Sequence, residues 1–152
     1  MAKMTIKGLD ELIARLEKAW QKPEAIVKKA LYEGAGVVAD AIRSGVASLP
    51  VDESKGTRRN PKYGITGVEK AGLLSGIGIS KMRVENETVN IVIGFNGTNA
   101  DGTKNTTVMR RCESGVSWQR KTPAIRPAVN RSKSQAQDAM HKVFIDELEK
   151  LL

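Results

Sequence analysis

Cysteine and histidine are almost absent from this chain, in which Cys112 and His141 are the only residues of their kinds. A lone cysteine can form neither a disulfide within the chain nor a thiolate metal cluster. A lone histidine excludes most metal and nuclease centres, which use several imidazoles. The carboxylates show no metal-like spacing and no evident acid–base partner. The sequence therefore predicts a protein that is not an enzyme and has no metal site and no cofactor.

Aromatic residues and long apolar runs are also scarce. Aromatics make up 4% of the 152 residues, so the core must consist of Leu, Ile, Val and Ala. No apolar run approaches the roughly 20 residues that a membrane span needs. The stretch from Met1 to Thr5 leads into charged residues and lacks the apolar core of a signal peptide. We expect a single domain over residues 1–152, no membrane partner, and a protein that starts in a cytoplasm.

Positive charge is in excess, with 25 Lys and Arg against 17 Asp and Glu and a formal net charge of +8. This balance favours acidic partners, either nucleic acid or an acidic protein surface. A solvated or protein-binding role is favoured over direct DNA contact, because charge runs are often simply solvated. The basic residues gather in three clusters: Lys55, Arg58, Arg59 and Lys62; Arg110 and Arg111; and Arg120, Lys121, Arg126, Arg131 and Lys133.

Apolar residues at three- and four-residue spacing predict three helices. The first covers about residues 9–20, with an apolar face of Leu9, Leu12, Ile13, Leu16 and Ala19 or Trp20. The second begins near Pro23, which suits a first helical position, and continues to about Ala47. Within it, Gly34 and Ala35 would let another helix or a neighbouring subunit approach closely, although ordinary core packing is favoured. The third is expected to start at an Asn130 or Ser132 N-cap and to continue to the C-terminus.

The rest of the chain predicts a β-hairpin between loops. Strands over about 77–84 and 89–95 alternate apolar and polar residues around a turn. The other expected segments are a short strand at 3–7, a basic loop at 52–66, a helical turn at 70–75, a polar loop or arm at 96–107, and a helix or strand at 107–112. The predicted fold is α+β: an N-terminal helix, a long second helix and a C-terminal helix pack on a small antiparallel sheet, with long mobile loops.

A proline-bracketed segment precedes the last helix. Pro123 and Pro127 enclose Arg126, so this segment should be a stiff, extended elbow. Glu113 and Gly115 lie shortly upstream, next to two arginines. For Glu113, a salt bridge that holds the elbow near Arg126 is favoured over a catalytic role.

Trp118 lies in a polar stretch and is predicted to be an exposed interface anchor, since tryptophan is enriched at binding hot spots. The candidate assembly interface combines it with basic residues from two of the clusters: Lys55, Arg58, Arg59, Lys62, Arg120, Lys121 and Arg126.

Several short motifs resemble, in order and spacing, the phage neck and tail-completion family (the Hong Kong 97 gene-product-ten-like head–tail joining proteins). The motifs are Gly8-Leu9-Asp10-Glu11-Leu12, Leu49-Pro50-Val51, Gly72-Leu73-Leu74-Ser75, Glu113-Ser114-Gly115 and Ile125-Arg126-Pro127-Ala128. The chain departs from the family pattern in a basic insertion at 52–71 and in lacking a Phe after the Arg-Pro pair.

The resemblance implies a structural virion protein of the head–tail junction, or neck, of a long-tailed phage or prophage. Such a protein would form a ring, with six copies in the virion, between a head-completion or stopper protein and a tail terminator or tail tube protein. Its basic loop could meet acidic rings or the DNA in the channel. The alternative is a basic nucleic-acid-binding phage protein, although aromatic stacking residues are scarce and no reading helix is evident.

Overall fold

The computed structural model describes residues 11, 14, 17, 18 and 21 and the ranges 23–86 and 88–151. Residues 11, 14, 17 and 18 are helical, within the span predicted for the first helix. The strand predicted at 3–7 and the apolar residues predicted for the face of the first helix lie outside the described residues.

Two long helices form the framework. Helix α1 is Pro23–Ala47 and helix α4 is Ile125–Leu151. They run antiparallel, because Lys29 pairs with Glu147 at one end whereas Gly45 approaches the backbone of Ala124 at the other. A Cβ atom on Gly34 would lie 2.6 Å from Cγ of Met140. The close approach predicted at Gly34 is therefore made by α4 of the same chain.

Two short helices close the core at one end of this pair. Helix α2 is Gly67–Gly76, longer than the predicted turn, and helix α3 is Asn105–Ser114, which settles the choice between helix and strand. The core is mainly aliphatic, as the composition predicts: Ile42, Val46, Leu49, Ile65, Leu73, Phe95, Val108, Met109, Cys112, Ala124 and Ala128. Full burial of each Val, Leu, Ile, Phe or Met side chain in this core contributes about 1.5–3 kcal/mol to folding.

The predicted hairpin is present, but a break divides it into two short pairs. Strands β1 (Ile77–Ile79) and β4 (Ile93–Phe95) pair antiparallel at the base, and β2 (Arg83–Glu85) and β3 (Thr88–Asn90) pair antiparallel at the tip. Between the two pairs, residues 80–82 face only residues 91 and 92, so one strand carries an extra residue.

Tyr32 of α1 fills this break in the ladder. Its hydroxyl donates to the carbonyl oxygen of Ser80 (3.2 Å) and accepts from the N–H of Met82 (3.2 Å). The side chain thereby satisfies two backbone groups that the hairpin itself leaves without a ladder partner. The α+β prediction is confirmed, with the antiparallel strands in two pairs.

The start of the last helix was wrongly predicted. Helix α4 begins at Ile125, ahead of both Asn130 and Ser132, and the N–H of Ala128 donates to the carbonyl oxygen of Ala124. Arg126 and Pro127 therefore lie in the first helical turn, so the prediction of an extended segment is wrong from Ile125 onward. The missing N–H of Pro127 costs nothing at this position. Ser132 is buried and its hydroxyl donates to the carbonyl oxygen of Ala128 (2.7 Å) instead of capping the helix. Among the described residues, no helix combines the length and apolar character needed to cross a membrane.

Candidate assembly interface

The basic loop at 52–66 lies against the segment that contains Trp118. The N–H of Lys62 donates to the carbonyl oxygen of Trp118 (3.0 Å), and the N–H of Arg120 donates to that of Lys62 (2.8 Å). Gly56 also contacts this segment, with a backbone φ of +64°. Two of the three predicted basic clusters are thus brought side by side.

Lys62 was predicted to belong to an exposed interface, but it is buried. Only 5% of the residue is exposed, and its ammonium group lies 5.9 Å from the centroid of the Trp118 ring. The ammonium group also donates to the carbonyl oxygen of Asp52 (3.5 Å). Because loop and tryptophan cover the lysine stem, Lys62 holds this site together from inside.

Trp118 is half-buried, which corrects the prediction of an exposed anchor. The guanidinium carbon of Arg111 lies 4.9 Å from its ring centroid, a distance at which a cation attracts an aromatic ring. With Lys62 also over the ring, the indole contacts two cations of its own chain. Its polar flanking residues gave no signal of these two contacts.

Arg111 forms an ion pair with Glu69 that sequence analysis missed. The Nη2···Oε1 distance is 2.5 Å, and the two side chains are only 15% and 10% exposed. The other oxygen of Glu69 accepts from the N–H of Thr66, while the hydroxyl of Thr66 accepts from the N–H of Glu69. This capping box fixes the start of α2, and the Thr-x-x-Glu pattern ahead of an apolar run could have revealed it.

Glu113 fixes the start of α4. Its Oε1 accepts from the backbone N–H groups of Ala124 and Ile125 (2.6 Å each), and its Oε2 from the N–H of Arg126 (3.5 Å). A carboxylate at a helix N-terminus both satisfies unpaired donors and complements the helix dipole. Glu113 therefore does hold the elbow at Arg126, but through backbone groups; the predicted salt bridge to the Arg126 guanidinium is not formed.

The other elbow residues have distinct local roles. Gly115 ends α3 with a φ of +73°, and its N–H donates to the carbonyl oxygen of Arg111 (2.8 Å). A side chain there would be strained, because L-residues rarely adopt this backbone conformation. Pro123 and Pro127 are exposed and stand next to two surface clefts.

Each cleft has a volume of about 290 Å³. Lys121, Pro123 and Pro127 line both of them. The Tyr63 cleft is further lined by Tyr63, Pro50, Leu49 and Arg131, and the Arg126 cleft by Arg126, Glu113 and Asn130. Tyr63 is 58% exposed and was not singled out by sequence analysis.

The remaining interface candidates are exposed. Arg58 and Arg59 sit in a tight turn in which the N–H of Thr57 donates to the carbonyl oxygen of Asn60 (2.9 Å). Lys55 precedes this turn and Arg120 follows Trp118, both on the surface. The described part of the chain contains no group of three or more His, Cys, Asp or Glu residues placed to bind a metal ion.

The single cysteine is a structural residue. Cys112 is fully buried, and burial raises the pKa of its thiol. A buried neutral thiol behaves as a small apolar group rather than as a nucleophile.

Comparison with known proteins gives no relative: no protein-family model, no curated protein and no solved structure matches this chain.

Proposed function

We propose that this chain is a structural subunit of the head–tail junction of a long-tailed phage or prophage. In this role it joins other copies in a ring between a head-completion or stopper protein and the tail terminator or tail tube. The proposal rests on the resemblance of the motifs to the neck and tail-completion family. The observation that carries it is the contact of Glu113 with residues 124–126, because this contact links two of the motifs directly.

The arrangement of the exposed groups suits a docking role. The framework of α1 and α4 is extended, while the exposed cations lie on the 52–66 loop and around the elbow. Repeating one such surface around a ring multiplies weak contacts, so avidity exceeds the affinity of each single contact. Glu69, Glu113 and Lys62 keep the loop and the elbow in place in the subunit itself.

Electron microscopy of a phage that carries this gene with an early stop codon tests the proposal. We expect filled heads and finished tails that are not joined, and restored particles when the wild-type gene is supplied in trans. Intact, infectious particles would contradict the neck assignment. Empty heads, or heads that lose DNA, would also contradict it as stated, and would move the role to closure of the packaged capsid.

A second candidate function is nucleic-acid binding, which the turn at Thr57–Asn60 favours by exposing Arg58 and Arg59 together. In this case affinity for duplex DNA should fall steeply with salt, with a slope set by the number of phosphate contacts. Charge reversal at Arg58 and Arg59 should then weaken DNA binding and reduce that slope.

A further inference from the structure

Three basic side chains lie around the elbow, at and near the start of α4. Lys121 borders both clefts, Arg131 borders the Tyr63 cleft and Arg126 borders the Arg126 cleft. All three are exposed, and none of the ion pairs between described residues involves any of them. Their charges are therefore available to an acidic ligand.

Glu113 is the only acidic residue among those lining either cleft, and it lines the Arg126 cleft alone. Both of its oxygens accept backbone N–H groups at the start of α4. Its negative charge is directed at the helix terminus, where the dipole stabilises it. The Tyr63 cleft has Lys121 and Arg131 and no acidic residue, and the Arg126 cleft has Lys121 and Arg126 against Glu113, so both linings have a net positive charge.

The clefts also have apolar walls. Pro123 and Pro127 form a ridge between them, and Leu49, Pro50 and Ala124 line the Tyr63 cleft together with the exposed ring of Tyr63. Prolines have no N–H, so this ridge offers van der Waals contact without any backbone donor. A concave, partly apolar site with a few charged groups is typical of a pocket that takes side chains or small ligands.

We propose that the two clefts bind an extended acidic segment of a partner protein. Its carboxylates pair with Lys121, Arg126 and Arg131, while an apolar side chain packs against Tyr63 and the proline ridge. Basic side chains recognise the acidic residues of a peptide by charge complementarity. The clefts on the two sides of the ridge provide pockets for its side chains. The inference rests on the proposed function only in taking the partner to be a protein of the same assembly.

The shape of the site favours a peptide over a DNA duplex. Duplex DNA presents its phosphates on a convex surface, and most protein contacts to it are made with phosphate and sugar. Such contacts do not require two narrow clefts with apolar walls. An extended chain can insert side chains into both clefts while it crosses the ridge.

Fluorescence anisotropy with a short labelled peptide of alternating glutamate and leucine tests this proposal. The full-length protein should bind the peptide, and the double variant Lys121→Glu, Arg131→Glu should bind it about 10-fold more weakly, as expected for reversing two exposed charges. The matched control is Lys28→Glu, Lys142→Glu, which makes the same change in net charge at exposed positions of α1 and α4 away from the clefts. This control should bind the peptide nearly as well as wild type.

Tyr63→Ala separates site binding from general charge attraction. Because the ring is mostly exposed, its removal should leave the thermal unfolding midpoint unchanged while it weakens peptide binding several-fold. Equal losses in the cleft variant and the charge control would overturn the proposal, as would no binding at all. Tighter binding of a labelled DNA duplex than of the peptide, with the same sensitivity to Lys121 and Arg131, would overturn it in favour of DNA. The neck assignment depends on particle morphology alone, so the two can fail separately.

Discussion

A Cβ atom on Gly56 would lie 2.2 Å from the carbonyl oxygen of Trp118. The basic loop and the tryptophan segment therefore meet backbone to backbone, at a distance that admits no side chain. The contact sets the position of the whole 52–66 loop, because Lys62 is bonded to the same carbonyl.

Replacing Gly56 should detach the loop. Gly56→Ala combines a positive φ with a steric clash, so we expect a loss of about 2–3 kcal/mol in the free energy of unfolding. Urea denaturation measures this loss. Gly102→Ala is the matched control, because Gly102 also has a positive φ (+81°) but a Cβ there meets nothing within 4 Å. The control should lose only the backbone strain, about 1 kcal/mol, and an equal loss in both variants would contradict the contact.

The cap on α4 predicts a stability loss at Glu113. Glu113→Ala removes the acceptor for three N–H groups and the favourable charge at the helix terminus. We expect unfolding to be easier by about 1–2 kcal/mol, a lowering of the thermal midpoint by roughly 3–6 °C for a chain of this size. Glu149→Ala, at an exposed position near the other end of α4, should change the midpoint little. Differential scanning calorimetry of the two variants checks this, and equal midpoints would argue against a cap.

Because Arg111 and Glu69 form an ion pair, mutations of the two residues should have non-additive effects on stability. Arg111→Met leaves a mostly buried carboxylate without its cation, and breaking a buried pair in this way costs about 3–5 kcal/mol. Adding Glu69→Gln should recover much of that loss, because the amide oxygen can still accept from the N–H of Thr66. A double-mutant cycle in urea gives the coupling, and strictly additive effects would show that the two side chains do not interact.

Cys112 should serve as a probe of global unfolding. The thiol is fully buried, and burial raises its pKa, so it should react with a disulfide reagent only when the core opens. We expect very slow labelling of the native protein at neutral pH and rapid labelling in denaturant. Fast native labelling would indicate that α3 opens locally.

The free energy of unfolding should decrease at acidic pH, because two carboxylates become protonated there. Hydrogen bonds from Ser54 and from the N–H of Tyr63 lower the pKa of Asp52, and Lys29 and Lys150 lower the pKa of Glu147. A carboxyl group whose pKa is lower in the folded than in the unfolded protein stabilises the folded state at pH values above its unfolded pKa, which is about 4. This contribution is lost as the pH falls through the lower, folded pKa. Asp52→Asn should therefore reduce stability at pH 7 and flatten its decline as the pH falls below about 4. An unchanged pH profile in equilibrium urea denaturation would contradict the role of Asp52.

The regular parts of the fold could be predicted from the sequence because their apolar residues recur periodically. The apolar stripe of α1 and the alternation in the hairpin each repeat over many residues, so single deviations do not hide them. The break in the hairpin was not readable, since it depends on Tyr32 from a helix far away in sequence. The same reason explains the error at the start of α4, where the capping group is Glu113 and not a residue of the helix itself.

The candidate site could be predicted from the sequence only in part. The sequence placed the basic residues in clusters, but it could not show that Lys62 is covered or that the Trp118 ring contacts two cations. Those facts depend on bonds between the 52–66 loop and residues 118–120, which follow no local pattern. The Tyr63 cleft arises only when α1, the loop and the elbow meet, and the Arg126 cleft only when Glu113 of α3 meets the start of α4.

The two prolines of the elbow also determine how α4 is rotated about its own axis. Between Pro123 and Pro127 the chain offers three backbone donors, at Ala124, Ile125 and Arg126, and Glu113 accepts all three. A slip of one residue in either direction would put an imino nitrogen in the carboxylate's reach, so only one alignment keeps every bond. Such a slip would turn α4 by about 100° about its axis and carry Ala128, Ser132 and Ala136 out of the interior. The elbow thus fixes which residues of α4 face the interior.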